Sequence, residues 1–447
     1  MKQNSSVPKK LSFISIYFLE INDVIGSGTF LLPSVIYRYM NLTAVLILLC
    51  TALTVSMIAL CYADLSSRFK GSGAAWLYSY NAFGRFTGYE LGIFTWFLGC
   101  CTLAAKIVAL LTTLKSFLPV FDNHVVYYGT AMGLIILFAI INFFGWDLVK
   151  AVNNISAAAK ILTLIVFIIV GVFFIHKANF SPVIPAAAMT GAGPFLKHFG
   201  AAFTPIFYLF TGFSFLPIAA KQMNNPEKNI PRVLIAVMIS VTILDALMMI
   251  VAIGIAGSRL GGYPTPLASV FGDAIGKWGY TVIIVGMLIS IFGVAFSASF
   301  NAPSLVASLA NEHGMLPKVI GKKNKHDAPW VGIILTAAFA TQSYLFLVSC
   351  TVLASFVQYV PSILAVIKFK HTNEFPNHGF KLPGKYIIPA LALVVSCYMV
   401  TNFTAKTLLV GTVVTVLAAA AYFFIDKDEE AERRHESFLA ALRNEKK

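Results

Sequence analysis

The chain has 447 residues, of which 58% are hydrophobic and only 12% charged, and its mean hydropathy is +0.80. A soluble globular protein carries about 25% charged residues, so this composition excludes an ordinary soluble domain and indicates that most of the chain faces lipid or other apolar helices. The net charge is +14. The basic residues lie between the apolar segments rather than on one face, which fits the positive-inside rule and argues against a nucleic-acid partner.

Twelve apolar segments are each long enough to cross a bilayer, which takes about 20 mostly apolar residues. The predicted transmembrane helices are residues 11–39, 42–66, 86–118, 125–144, 147–176, 197–221, 231–256, 278–310, 330–350, 352–370, 386–404 and 407–425. The first segment contains Glu20, Asn22 and Asp23 and lacks a clear cleavage site, so we interpret it as a retained helix rather than a signal peptide. The predicted fold class is an all-α integral membrane protein with 12 transmembrane helices.

The distribution of basic residues predicts the orientation of these helices. With the amino terminus inside, 24 of the 33 Lys and Arg residues fall on the inner side, 7 fall on the outer side, and Lys106 and Lys160 lie within helices. Inner loops carry the excess of Lys and Arg, so we expect a multi-pass protein of the plasma membrane with both termini cytoplasmic. The cytoplasmic tails are then residues 1–10 and 426–447. The second tail is either a short surface helix with an apolar face at Phe438, Leu439 and Leu442 or a solvated end.

Cysteine and histidine provide no pattern for a cofactor. The six cysteines all lie in apolar segments, without the spacing of a metal site, and we interpret them as small packing residues. The eight histidines fall in loops, tails or helix ends, and no HExxH sequence occurs. We therefore expect no metal, no cofactor and no enzyme activity. A channel or a membrane sensor is the other class of protein that the sequence leaves open.

Two of the predicted helices contain glycine at their centres. The first has Gly-Ser-Gly at residues 26–28, and the sixth has Thr-Gly-Phe-Ser at residues 211–214, between Pro205 and Pro217. Glycine costs about 1 kcal/mol relative to alanine in a helix, and a broken membrane helix is tolerated only where it lines a cavity or is buried in protein. For either sequence alone, close helix packing is the simpler interpretation.

The spacing of the two breaks indicates a transporter. Helices 1 and 6 are five apart, an odd number, so a first repeat over 11–180 and a second over 197–370 would have opposite topology, followed by two helices over 386–425. Paired breaks in inverted halves are typical of a secondary transporter with its site at the middle of the membrane.

The chemistry of the predicted site follows from the broken ends. A half-helix that starts after Gly26 directs free N–H groups and the positive end of its dipole at the cavity, so Ser27, Gly28 and Thr29 are predicted to hold a carboxylate. The half-helix that ends near Ile25 exposes carbonyl groups, as does the end of the first half of helix 6, and these suit an ammonium group. A free amino acid carries both groups on its α-carbon, so the expected partners are an amino acid, as the small-molecule substrate, and the lipid bilayer. The sequence does not determine an oligomeric state.

Five short motifs carry a family resemblance. They are IGSGTFLLP in helix 1, FKGSGAAWLYSYNAFG after helix 2, FTGFS followed by NNPEKNIPR at helix 6, ANEHGMLPKVIGKKNKHDAPW between helices 8 and 9, and FKLPGKYIIP before helix 11. In these motifs and their order the chain resembles the amino acid–polyamine–organocation (APC) superfamily of permeases. The resemblance implies the leucine-transporter-type fold with a 5+5 inverted repeat, and amino acid uptake or exchange by alternating access. The alternative within the same fold is an amine or polyamine transporter, or an amino acid/amine antiporter.

The resemblance also implies individual site residues. Tyr208 matches an aromatic gate position on helix 6, and Ser214 stands where many members carry a glutamate that is tied to proton-dependent cycling. Leu305 and Asp245 replace an arginine and a tyrosine that are common in the family. The complete predicted set of substrate-binding residues is Ile25, Gly26, Ser27, Gly28, Thr29, Lys106, Tyr208, Phe210, Gly212, Phe213 and Ser214.

Ionisable residues inside the membrane are costly, at about 2.5–3.5 kcal/mol each on insertion scales, so each is a functional hypothesis. Lys160 matches a family lysine whose ammonium takes the place of a sodium ion. It is predicted to bridge helices 1, 5 and 8 and to titrate during transport, or else to be merely structural. Counted back from Pro119, Lys106 matches a position that lines the side-chain pocket in arginine-antiporter-like members. The resemblance therefore implies that Lys106 lines this pocket and favours an anionic side chain such as glutamate or aspartate; the alternative is that it pairs with an internal acid such as Asp245.

The membrane acids have several predicted roles. Asp245 faces the substrate ammonium, takes up a proton or neutralises Lys106, and the sequence does not separate these three. Glu20 and Asp23 are expected near the inner mouth, solvated or paired. Glu90 is expected at a membrane edge.

Overall fold

The computed structural model describes residues 11–69, 73–142, 146–311, 315–316, 322, 344–423, 433 and 437. This part of the chain is built from helices and contains no strand, apart from one isolated bridge between Leu11 and Met223. Nine helices in the described residues are long and apolar enough to cross a membrane. The all-α membrane class is confirmed, while the count of 12 helices and the inverted repeat stay predictions.

The structure describes fifteen α-helices in chain order. They are α1 (Phe13–Val24), α2 (Ser27–Leu31), α3 (Pro33–Met40), α4 (Thr43–Ser66), α5 (Ala74–Phe83), α6 (Arg85–Lys115), α7 (His124–Asn142), α8 (Trp146–Gly171), α9 (Ala192–Leu209), α10 (Pro226–Ala256), α11 (Pro266–Ile275), α12 (Lys277–Asn311), α13 (Tyr344–Thr372), α14 (Ile387–Val400) and α15 (Ala405–Tyr422). A 3₁₀ helix, Phe213–Gln222, continues the chain after α9.

The predicted span 330–350 differs most from the structure. Residues 330–343 lie outside the described residues, and residues 344–350 form the start of α13, which continues without a break through the predicted span 352–370. No boundary forms at Thr351, because neither glycine nor proline stands there to interrupt the helix. The predicted tails 1–10 and 426–447, with Phe438, Leu439 and Leu442, also fall outside the described residues, except for residues 433 and 437.

Burial distinguishes central from peripheral helices. In α6, 83% of the most apolar window is buried, whereas the corresponding share is 17% in α7 and in α15. The peripheral helices expose large apolar side chains such as Val125, Ile136 and Leu409, which suits contact with lipid tails. The polar and charged residues of the middle of α6 therefore face the protein interior.

Candidate functional site

The first break lies where the glycines predict it. α1 ends at Val24, Ile25 and Gly26 have extended backbones, and α2 begins at Ser27. The helix then continues, because the Leu32 N–H donates to the Gly28 carbonyl at 2.8 Å and the Ile36 N–H donates to the Leu32 carbonyl at 2.9 Å. Pro33 is accommodated near the start of α3, where its missing N–H costs least.

The second break touches the first. α9 ends at Leu209, and Gly212 has φ +122°, a conformation that side-chain-bearing residues rarely adopt. A Cβ atom on Gly212 would lie 2.7 Å from the carbonyl oxygen of Asp23, which ends α1 together with Val24. The two interrupted helices are thus in direct backbone contact, and only glycine allows this approach.

A cavity of about 30 Å³ lies at this contact. Its walls come from α1, α6, the second break, α12 and α13, and the apolar and small side chains of α6 and α12 form much of its surface. The polar residues of the lining are Asp23, Thr102, Lys106, Tyr208, Thr211 and Thr351. The cavity therefore combines one acid, one cation and several hydroxyl groups in an otherwise apolar wall.

Lys106 directs its charge at the first break. The side chain is 4% exposed, and its ammonium nitrogen lies 5.3 Å from the centroid of the Tyr208 ring, within the range of a cation–π interaction. A Cβ atom on Gly26 would overlap this nitrogen, so the glycine leaves the space that the ammonium fills. Lys106 interacts electrostatically with Asp23. The predicted position of Lys106 in the pocket wall agrees with this geometry, and the acid beside it is Asp23.

Asp23 lines the cavity, whereas the sequence predicted it near the inner mouth. It is half-buried in the cavity wall, whereas its neighbour on α1, Glu20, is completely buried and neither solvated nor paired by a hydrogen bond to the described residues. The expectation of a solvated or paired Glu20 at the inner mouth is therefore wrong. The sequence did contain a signal for the place of Asp23 in the cavity wall. Asp23 stands three residues before Gly26, which puts the acid in the last turn of α1, next to the break.

The other predicted residues lie behind the cavity wall. Ser27 accepts a hydrogen bond from the Tyr344 hydroxyl at 3.2 Å, and a Cβ atom on Gly28 would lie 2.9 Å from the Tyr208 ring. Among the predicted substrate-binding residues, Lys106, Tyr208 and Gly212 line the cavity. Buried behind them are Ile25, Ser27, Thr29, Phe210, Phe213 and Ser214. Their contact with substrate stays a prediction.

Lys160 lies outside the cavity in a hydrogen-bonded cluster. Its ammonium donates to the backbone carbonyl and to the side-chain oxygen of Asn22, each at 2.8 Å. Ser156 donates to the same Asn22 oxygen at 3.2 Å and to the Ser290 carbonyl at 3.0 Å. Lys160 thereby links α8 to α1, and Ser156 links α8 to α12; a bridge to helix 8 through Lys160 itself stays a prediction. The titration of Lys160 stays a prediction.

Asp245 lies on the opposite side of the first break from Asp23. It is completely buried on α10 and interacts with the side chain of Thr29, the third residue of α2. Its carboxylate oxygens accept no hydrogen bond of normal geometry from the described residues. Of its three predicted roles, the geometry gives no support to pairing with Lys106, because the acid that interacts with that lysine is Asp23.

Two threonines of the cavity lining, one on α6 and one on α13, were not predicted from the sequence. Thr102 stands four residues before Lys106 on α6, so helical periodicity could have identified it as a neighbour on the same face. Thr351 offered no such signal, because its place depends on how α13 packs against the breaks. Both bring hydroxyl groups to the cavity wall.

Comparison with known proteins agrees with this architecture. A model of the amino acid permease family matches residues 11–425. An uncharacterized transporter of Mycobacterium tuberculosis is 28% identical over 425 residues, which cover 88% of this chain and 87% of that protein. The branched-chain amino acid permease BcaP of Lactococcus lactis is 26% identical, with 91% of this chain and 92% of that protein covered. The arginine/agmatine antiporter of Chlamydia abortus is 22% identical, with coverage of 98% and 94%. The resemblance to APC-superfamily permeases is confirmed.

Proposed function

We propose that this chain, which belongs to the amino acid permease family, is a secondary active transporter that moves amino acids across the plasma membrane by alternating access, by uptake or exchange. The family consists of transporters of small molecules, so an enzyme activity is not proposed. The cavity between the two broken helices is the substrate site of this proposal, because broken helices near the middle of a membrane supply the backbone groups that bind substrates and ions.

The opposite charges of Asp23 and Lys106 carry the proposal. Both line one cavity and come from different helices, α1 and α6. A free amino acid carries one ammonium and one carboxylate on the same carbon atom. In the proposed complex Asp23 and the carbonyls at the end of α1 bind the ammonium, while Lys106 binds the carboxylate together with the N–H groups at the start of α2. Tyr208 covers the site from the second break.

Side-chain preference is the finer part of the proposal. Thr102, Thr351 and the small apolar residues of α6 and α12 surround the remaining space. The sequence-based hypothesis of an acidic substrate is a second candidate, favoured by Lys106 as a cation in the wall. Asp23 beside Lys106 opposes it, since the acid offsets the charge, and the name of the Lactococcus lactis relative refers to branched-chain amino acids. We therefore place a neutral side chain first.

An amine or polyamine is the alternative substrate class. The name of the Chlamydia abortus relative includes agmatine, an amine, beside arginine. A polycation needs several acids in its site, whereas Asp23 is the acid of the cavity lining and Lys106 would repel a second positive charge. The geometry therefore favours an amino acid over a polyamine.

Exchange in proteoliposomes tests the proposal. Purified protein is reconstituted, preloaded with one unlabelled compound, and supplied outside with a radiolabelled neutral, acidic or basic amino acid, or with a polyamine. Trans-stimulated uptake of a neutral amino acid is the expected result, and strongest exchange of glutamate or aspartate would favour the second candidate. The proposal fails if no amino acid exchanges. Protein-free liposomes give the background.

A further inference from the structure

Glu20 is a buried acid that the substrate site does not use. It lies on α1, one helical turn before Asp23, and its side chain is completely buried. Neither of its carboxylate oxygens accepts a hydrogen bond from any residue that the structure describes. An ionised carboxylate without a partner is costly in such a place, so this burial favours the protonated form of Glu20.

Among the side chains that the structure describes, the groups that interact with Glu20 supply no compensating positive charge. Asp23 interacts with it along α1 and is itself an acid. From α13, the phenol of Tyr359 interacts with Glu20 and is completely buried. Asp23 favours the neutral form of Glu20 because it is itself an acid, and the uncharged phenol of Tyr359 brings no compensating positive charge.

The charged groups on the other helices that pack against α1 are directed elsewhere. Lys160 of α8 donates its hydrogen bonds to Asn22. Asp245 of α10 interacts with Thr29, beyond the break. Glu20 is thus separated from the lysine that could have neutralised it, within the part of the chain that the structure describes.

Glu20 also lies at a joint between three elements. Tyr359 of α13 interacts electrostatically with Glu20 of α1. The ring of Phe213 stacks on Tyr359 with a centroid distance of 5.2 Å. The contact joins the first half of the first broken helix to the second break and to α13. An ionised Glu20 requires water, and the packing around Glu20 in this arrangement excludes water from it.

We propose that Glu20 is the proton-binding residue that couples transport to a proton gradient. With a proton bound, Glu20 stabilises the closed contact between α1, the second break and Tyr359. Loss of that proton to water favours the open contact, so the proton concentration biases the equilibrium between the two arrangements. This inference rests on the proposed transport function and adds to it the driving ion and the residue that binds it.

The Glu20→Gln variant tests the proposal, because glutamine imitates the protonated acid permanently. Two activities are measured in proteoliposomes: exchange at equal pH on both sides, and accumulation driven by an acidic exterior. We expect exchange to persist in Glu20→Gln, whereas accumulation driven by the pH gradient falls by about tenfold or more because the population shift is lost.

Glu90→Gln is the matched control. Glu90 is also a buried acid without a hydrogen bond from the described residues, but it lies near the start of α6 and outside the cavity lining. This variant should retain both activities. Loss of gradient-driven accumulation in both variants to the same extent would contradict a specific role for Glu20.

The remaining outcomes separate this inference from the proposed function. Gradient-driven accumulation by Glu20→Gln at the wild-type level would overturn the role of Glu20. The same holds if the wild-type protein exchanges amino acids but does not accumulate them in response to a pH gradient. A wild-type protein that exchanges no amino acid would overturn the proposed function instead. If Glu20→Gln is inactive in exchange, the Glu20→Asp variant tests the proposal instead. A shift in the pH dependence of its uptake relative to the wild type supports Glu20 as the proton site, and an unchanged pH dependence contradicts it.

Discussion

Lys106 and Lys160 are both buried beside the first helix break, yet their surroundings differ. The Lys160 ammonium is closed in by two hydrogen bonds to Asn22 and holds α8 against α1. The Lys106 ammonium faces the cavity, the ring of Tyr208 and the space left by Gly26. A buried charge whose bonds are completed by protein supports the fold, whereas a charge directed at a cavity can recognise a ligand. The difference is testable, since stability should depend on Lys160 and substrate binding on Lys106.

The largest effect is expected from Lys160→Met. The substitution removes two charge-assisted hydrogen bonds and leaves the Asn22 carbonyl unsatisfied at the end of α1, which should cost about 1.5–3 kcal/mol per bond. We expect a clearly lower thermal unfolding temperature in detergent and loss of exchange in proteoliposomes. An unfolding temperature equal to that of the wild type would show that the bridge between α1 and α8 does not stabilise the fold.

Lys106→Met should lower substrate affinity more than thermal stability, unlike Lys160→Met. The thermal unfolding temperature should change little, because the ammonium faces a cavity, while substrate affinity should fall by about 10–100-fold with the loss of a charged hydrogen-bond donor. Binding is measured by isothermal titration calorimetry on the purified protein.

Lys406→Met provides the control for Lys106→Met. Lys406 also lies over an aromatic ring, 4.3 Å from the centroid of Phe346, but it is exposed and outside the cavity lining. Its variant should bind substrate like the wild type. Equal losses in both lysine variants would indicate a general effect of charge rather than a contact with substrate.

The smallest effect is expected from Gly26→Ala. The added methyl group would overlap the Lys106 ammonium, which is the end of a flexible side chain and can move aside. We expect a loss of affinity of a few fold, about 1 kcal/mol or less, in the same direction as Lys106→Met. Gly129→Ala on α7 is the control, because a Cβ atom there would meet nothing within 4 Å. This variant should bind substrate with the wild-type affinity. A Gly26→Ala variant with unchanged affinity would argue that the position of Lys106 against the break is unimportant.

Local sequence predicted the breaks well and the cavity wall less well. Glycine at residues 26 and 212 weakens a helix whatever surrounds it, so both interruptions could be located from the residues alone. The bridge through Lys160 was also predictable, from its depth and its family motif. The role of Asp23 could not be predicted in the same way, because an acid at the end of a half-helix can face either water or a cavity. Which of the two it faces depends on the packing of the second break, where Gly212 contacts the Asp23 carbonyl. The burial of Glu20 likewise depends on the packing of α13 and the second break.

The central claim is that the cavity binds the two charged ends of one amino acid between Asp23 and Lys106. The most direct measurement is competition for exchange in proteoliposomes by three compounds with the same side chain: the best amino acid substrate, its decarboxylated amine and its deaminated acid. The account predicts that each analogue requires a concentration higher by about 10–100-fold, since each leaves one buried charge without its partner. Competition by either analogue at the same concentration as the amino acid would contradict it.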